Sequence, residues 1–112
     1  MTTPVHAKRH FSCAGEPRIV AALEAHARPA IVICGMEAHI CVLQSALGLK
    51  ALGFAPVVVA DAVASRQPAS REIALQRLQG HGVEIVTAEM VVFEWLREAG
   101  TPAFRAILPL VR

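Results

Sequence analysis

The residues best placed to do chemistry form one run, Gly35-Met36-Glu37-Ala38-His39-Ile40-Cys41-Val42. It starts where an apolar, β-branched segment ends in glycine, and it finishes where a helical pattern begins. In open α/β sheets, a strand-to-helix loop of this kind is where ligands are bound. A cysteine in the first turn of a helix meets the positive end of the helix dipole and backbone N–H groups without helical partners. Both stabilise thiolate, the nucleophilic form. The same N–H groups can hold the oxyanion formed when a thiolate attacks a carbonyl carbon. Cys41 is therefore a candidate nucleophile, and the alternative is a small buried hydrophobe, which is what most free cysteines are. A second run, Lys8-Arg9-His10-Phe11-Ser12-Cys13, offers a lysine that could stand beside a thiolate as a cation or carry protons. Its alternative is a solvated basic residue near a terminus.

Positioning these groups requires regular elements. Pro29-Ala30-Ile31-Val32-Ile33-Cys34-Gly35 is a continuous apolar run without alternation, which predicts a parallel strand buried on both faces. Ala55–Asp61 has the same character, and Val83–Thr87 is a weaker third. Glu16-Pro17 opens a first helix with Ile19, Val20, Leu23 and Ala27 as its apolar stripe. A second helix, from about His39 to Leu52, is apolar almost all round and should be largely buried. Ser70 is the candidate N-cap of a third, which turns Ile73, Ala74 and Leu78 toward the sheet and ends near Gly80-His81-Gly82. Thr87 caps a fourth carrying Val91, Val92, Trp95 and Leu96, and Pro102–Val111 adds a short helix. The alternation of helix and strand predicts parallel strands joined by right-handed crossovers. The fold class is therefore α/β, a Rossmann-like three-layer α/β/α arrangement with about three core strands, in one domain over residues 1–112.

Composition bounds the function. Of 112 residues, 54% are hydrophobic before glycine is counted, above the roughly 45–50% that ordinary domains reach with glycine included. That excludes intrinsic disorder. A net charge of +2, from 11 basic and 9 acidic residues, gives no stripe for nucleic acid. No apolar run approaches the ~20 residues of a membrane span, and the start carries no apolar signal region, so a cytoplasmic location is expected. Cys13, Cys34 and Cys41 lack CxxC spacing and read as reduced thiols, with no zinc site. No GxGxxG follows any strand, which argues against a dinucleotide cofactor.

Together, Gly35–Val42, Ala60-Asp61-Ala62-Val63-Ala64-Ser65-Arg66, the Lys8–Ser12 segment and Phe104-Arg105-Ala106-Ile107 resemble the isochorismatase-like cysteine hydrolases, in the isochorismatase-domain-containing branch. The likeness runs from about Lys8 to Arg112. It implies Cys41 as nucleophile and Lys8 as catalytic lysine. It implies a non-proline cis peptide at Met36–Glu37, with the amides of Glu37 and Cys41 as the oxyanion hole. The implied activity is hydrolysis of an amide or related C–N or C–O bond of a small molecule, through a covalent intermediate that water resolves. Phe11, His39, Glu37 and Trp95 are possible pocket residues, and Asp61 and Arg66 organise the loop after the second strand. No metal or other cofactor is assigned.

The pattern departs from the family at one place. The resemblance implies a third catalytic residue, an aspartate in an upstream Asp-x-Gln segment, whereas the only aspartate here is Asp61, which maps to a different strand. The chain thus looks like the C-terminal part of a family member, truncated before the first strands, with turnover lowered for want of that base. The loss of a strand beside Ala30–Gly35 would expose an apolar edge, so a homo-oligomer that buries this edge or exchanges segments is expected. The competing reading, from another class, is a non-catalytic scaffold or binding module of the same fold. A third takes the chain as part of a longer coding sequence.

Overall fold

In the computed structural model of the chain, which describes residues 3–111, the three β-branched runs become strands β1 (Ala30–Met36), β2 (Ala55–Ala64) and β3 (Glu84–Val86). They form one parallel sheet in the order β1-β2-β3. Among the described residues there are five α-helices: α1 (Pro17–Ala25), α2 (Leu43–Ala51), α3 (Pro68–Gly80), α4 (Ala88–Leu96) and α5 (Pro102–Val111); α2, α3 and α4 pack on the sheet, and α5 packs on α4. A short 3₁₀ turn, Cys13–Gly15, precedes α1, and a single π-helical turn, Ala38–Val42, leads into α2. Ile33, Val58 and Ile85 stand in register and pack with α2 and α3, while Val32, Val57 and Val86 face α4 on the other side. This is the expected three-layer α/β/α arrangement. Among the described residues, no helix is long and apolar enough to cross a membrane.

The core sits under the centre of the sheet, not at β1. Val58, Ala46 and Leu78 are fully buried, with Ala38, Leu49, Ala74 and Val83 close behind. β1 is not buried on both faces as its unalternating run predicts: Val32 is 40% and Met36 67% exposed, in keeping with the exposed edge expected at Ala30–Gly35. The strand order explains this. β2 has a neighbour on each side, whereas β1 is paired on one edge only and is incompletely covered.

Local chemistry fixes several boundaries. Pro17 occupies the first turn of α1, where a missing N–H costs nothing. α1 stops at Ala25, so Ala27 lies outside its stripe. The approach of Pro29, which disfavours a helical residue before it, accounts for the early end. Thr87 caps α4, its hydroxyl accepting from the Met90 amide at 3.3 Å. Ser70 does not cap α3. Pro68 starts that helix one residue after Gln67, leaving Ser70 inside the first turn. Ile73 also points away from the sheet, 64% exposed, while Ala74 and Leu78 on the adjacent face are buried.

β2 carries an irregularity that matters for the site. Ile33 pairs with Val58, yet Gly35 pairs with Val63, so the chain between Val58 and Val63 bulges. The Arg71 guanidinium spans this bulge, donating to the carbonyls of Ala60 and Val63. Asp61 projects from it and accepts the Ala88 amide at the start of α4 (2.8 Å). The outcome is that Ser65 and Arg66 are delivered beside the loop that follows β1.

Candidate active site

Cys41 sits in the π-helical turn that follows β1, half-buried, at the end of the sheet where the strands leave for their helices. π-turns within helices are rare and recur at functional sites. The Glu37 carbonyl accepts the amides of Ile40 (3.2 Å) and Val42 (3.1 Å), the residues on either side of Cys41. The peptide between Met36 and Glu37 is cis, and Gly35 precedes it at φ 119°, a conformation that glycine reaches at no steric cost.

The Lys8 segment reaches this turn from 33 residues away. Lys8 Nζ lies 3.6 Å from Cys41 Sγ and donates to the carbonyls of His10 and Phe11, each at 3.1 Å. An ammonium has three protons, and here they meet three partners. The positive charge is therefore held against the sulfur rather than left free in solvent.

What holds the segment is a set of polar contacts with no local sequence signature. Glu16 Oε2 accepts the backbone amides of Arg9 (2.7 Å) and His10 (2.9 Å) and pairs with His10 Nδ1 (2.9 Å). These donors, those of His10 first, lower the Glu16 carboxyl from 4.5 to about 2. Ser45, buried on α2, accepts the Cys13 amide at 2.9 Å. Gly48, one turn further along α2, allows the 3₁₀ turn to lie directly on the helix. A Cβ at position 48 would stand 2.8 Å from both Ala14 Cβ and Ser12 Oγ.

The loop after β1 is fixed from the other side. Glu37 takes Arg66 twice, through Nε (2.8 Å) and the backbone amide (3.2 Å). His39 Nδ1 meets Ser65 Oγ at 2.9 Å. Arg66 thus organises the loop after β2 by clasping the loop after β1.

An open cleft of about 370 Å³ lies beside Lys8 and Cys41. Its walls are mostly apolar, from β1, α1 and α2, and include Cys13 and Cys34. Phe11, Glu37 and His39 are not part of these walls: Phe11 contributes its carbonyl to Lys8, and Glu37 and His39 turn toward Arg66 and Ser65. Trp95 lies elsewhere, on the α4 side of the sheet, 71% exposed. Among the described residues, no group of three or more His, Cys, Asp or Glu side chains could hold a metal ion.

Sequence reasoning singled out the pair now found together, Lys8 and Cys41. It missed Glu16, Ser45 and Gly48. The available signal was the spacing of Ser45 and Gly48, one and two turns beyond Cys41, on a helix that reads as apolar almost all round.

The isochorismatase domain model matches residues 2–90. A secreted isochorismatase effector of Phytophthora sojae is 38% identical over 85 residues, covering 76% of this chain and 40% of that protein. A MAR1 ribonuclease of Caenorhabditis elegans superposes with a TM-score of 0.83 at 29% identity, over 93% of this chain and 53% of that one. A pyrazinamidase/nicotinamidase of Streptococcus mutans gives 0.67 at 32% identity, over 70% and 44%. The chain spans about two-fifths of the length of the curated relatives it matches. The domain match over most of the chain, together with the shared α/β/α fold, establishes that the chain belongs to the isochorismatase family.

Proposed function

We propose that the protein is a cysteine hydrolase of small-molecule amides or related C–N or C–O bonds, with Cys41 as nucleophile and Lys8 as its proton carrier. The observation that carries this reading is the 3.6 Å contact between Lys8 Nζ and Cys41 Sγ. A nucleophile beside a group that can hold its proton is the arrangement covalent hydrolysis needs. In the first half-reaction, the Cys41 thiolate adds to the carbonyl carbon. The C–N bond then breaks, and the amine departs with a proton from the Lys8 ammonium. In the second, water adds to the thioester and gives its proton to the Lys8 amine, and sulfur leaves as thiolate. The sum is amide plus water giving acid plus amine. The amides of Glu37 and Cys41 are the candidate donors to the oxyanion. The nicotinamidase neighbour is consistent with an amide substrate.

The test compares wild type with Cys41→Ser on nicotinamide and on p-nitrophenyl acetate, with mass spectrometry to locate any acyl group. Loss of a nucleophile costs several powers of ten, so turnover should fall by at least about 100-fold and the acetyl group should appear on Cys41. Equal rates would remove Cys41 from the mechanism. The second reading, an assembly module, is favoured by the open edge of β1 and the exposure of Val32 and Met36. It requires a light-scattering mass above 12.0 kDa, with no turnover that depends on Cys41.

A further inference from the structure

Lys8 lies in a segment with no regular structure, and its ammonium is placed by backbone carbonyls, not by its own side-chain packing. The position of the charge is therefore only as good as the position of the backbone at His10 and Phe11. Two side chains fix that backbone. Glu16 draws in the amides of Arg9 and His10, closing the stretch between Lys8 and α1 into a loop. Ser45 ties the next stretch to the helix that carries the nucleophile, through the Cys13 amide. Within that stretch, Ser12 Oγ accepts the Ala14 amide at 3.1 Å, and the Ser12 and Cys13 carbonyls accept from Gly15 and Glu16 at 3.1 Å each. It is thus a rigid turn and not a free linker. The path from Cys41 back to Lys8 runs through α2 to Ser45, across to Cys13, and along the turn.

We propose that Ser45 and Glu16 are positioning residues for the Lys8–Cys41 pair, seating the lysine segment on the nucleophile's own helix. The inference rests on the proposed partnership of Lys8 with Cys41 and assigns what maintains it. Neither residue touches the sulfur. Both act by keeping the His10 and Phe11 carbonyls where they hold the ammonium.

The experiment measures alkylation of Cys41 by iodoacetamide at pH 7, with fragment-ion mass spectrometry separating Cys41 from Cys13 and Cys34. The proteins are wild type, Lys8→Met, Ser45→Ala, Ser45→Thr, Glu16→Gln, and the doubles of Lys8→Met with Ser45→Ala and with Glu16→Gln. The loss of one hydrogen bond corresponds to a factor of about 2 to 10. Ser45→Ala and Glu16→Gln should each slow alkylation by that factor, and Ser45→Thr, which keeps the hydroxyl, should restore it. In the doubles, neither substitution should add to the effect of Lys8→Met. A merely structural defect would slow alkylation in the Lys8→Met background as well, and that result would overturn the proposal. Wild-type rates in both single variants, with Lys8→Met slow, would also overturn it while leaving the proposed function standing. A wild-type rate in Lys8→Met would refute the Lys8–Cys41 partnership itself. Ser45→Ala removes one atom and Glu16→Gln is isosteric, so either variant carries the test if the other does not fold.

Discussion

Gly48→Ala separates the seating of the lysine segment from the stability of the fold. Position 48 is in the interior of α2, and alanine is favoured over glycine in a helix interior by about 1 kcal/mol. An isolated helix would gain that amount. Here the new methyl group would lie 2.8 Å from Ala14 Cβ and from Ser12 Oγ, whereas ordinary contacts begin near 3.4 Å. Ala14 Cβ is fixed to its backbone and cannot rotate away, so the Ser12–Gly15 turn must move outward by about half an ångström or more. Overpacking of this kind costs about 1–3 kcal/mol, so the net change in stability runs from near zero to a loss of about 2 kcal/mol. The same displacement lengthens the 2.9 Å bond from the Cys13 amide to Ser45 and draws the lysine segment away from Cys41. Urea unfolding followed by circular dichroism gives the stability, and hydrogen exchange gives the protection of the Cys13 amide. Site-resolved alkylation gives the state of Cys41. The expected result is a stability change within that range, a faster-exchanging Cys13 amide, and slower alkylation of Cys41. A variant more stable by the full helix gain, with Cys13 exchange and Cys41 alkylation unchanged, would refute the close approach of the turn to α2.

Acid should release the lysine segment through Glu16. Its carboxyl is lowered from 4.5 to about 2 in the folded chain, so its contribution to stability is complete above about 4.5 and is lost as pH falls toward 2. The melting-temperature gap between wild type and Glu16→Gln should therefore be constant near neutrality, narrow below about pH 4.5 and close near pH 2, and a gap independent of pH would refute the assignment. Asp61→Ala should cost about 1 kcal/mol, the usual value for a lost bond at a helix N-terminus, because the Ala88 amide loses its acceptor. Alkylation of Cys41 should stay within about twofold of wild type, as expected for a contact that serves α4, and a larger fall would assign Asp61 to the site.

The division between what the sequence shows and what it hides follows from the range of each interaction. The strand-to-helix loop at Cys41 is legible because it is built from neighbours: a β-branched run, a glycine at φ 119°, and a helical pattern after it. Thr87 is legible as a cap for the same reason, since its partner lies three residues on. Lys8 is legible from its own segment only as a candidate cation, and its pairing with Cys41 comes from the family resemblance, because nothing within that segment predicts a partner 33 residues away. The β1 run by itself predicts burial on both faces, and the exposed edge at Ala30–Gly35 is predicted only through the family resemblance, which supplies a strand order. A run of Ile and Val specifies a strand, but burial on both faces and edges depends on neighbours that the run does not encode.

Ser45 and Gly48 show where a stricter reading of the helix would have gone further. A helix that is apolar almost all round reads as buried, and the small residues within it then pass as incidental. Their spacing says more. With Cys41 they lie on successive turns, and a stripe of side chains too small to fill a core leaves room for something other than side chains. In this fold that space takes backbone: the turn at Ser12–Gly15, whose Cys13 amide donates to the Ser45 hydroxyl on the stripe. A buried serine one turn beyond Cys41 thus marks where a second segment approaches, since a buried hydroxyl needs a partner and a passing backbone supplies one.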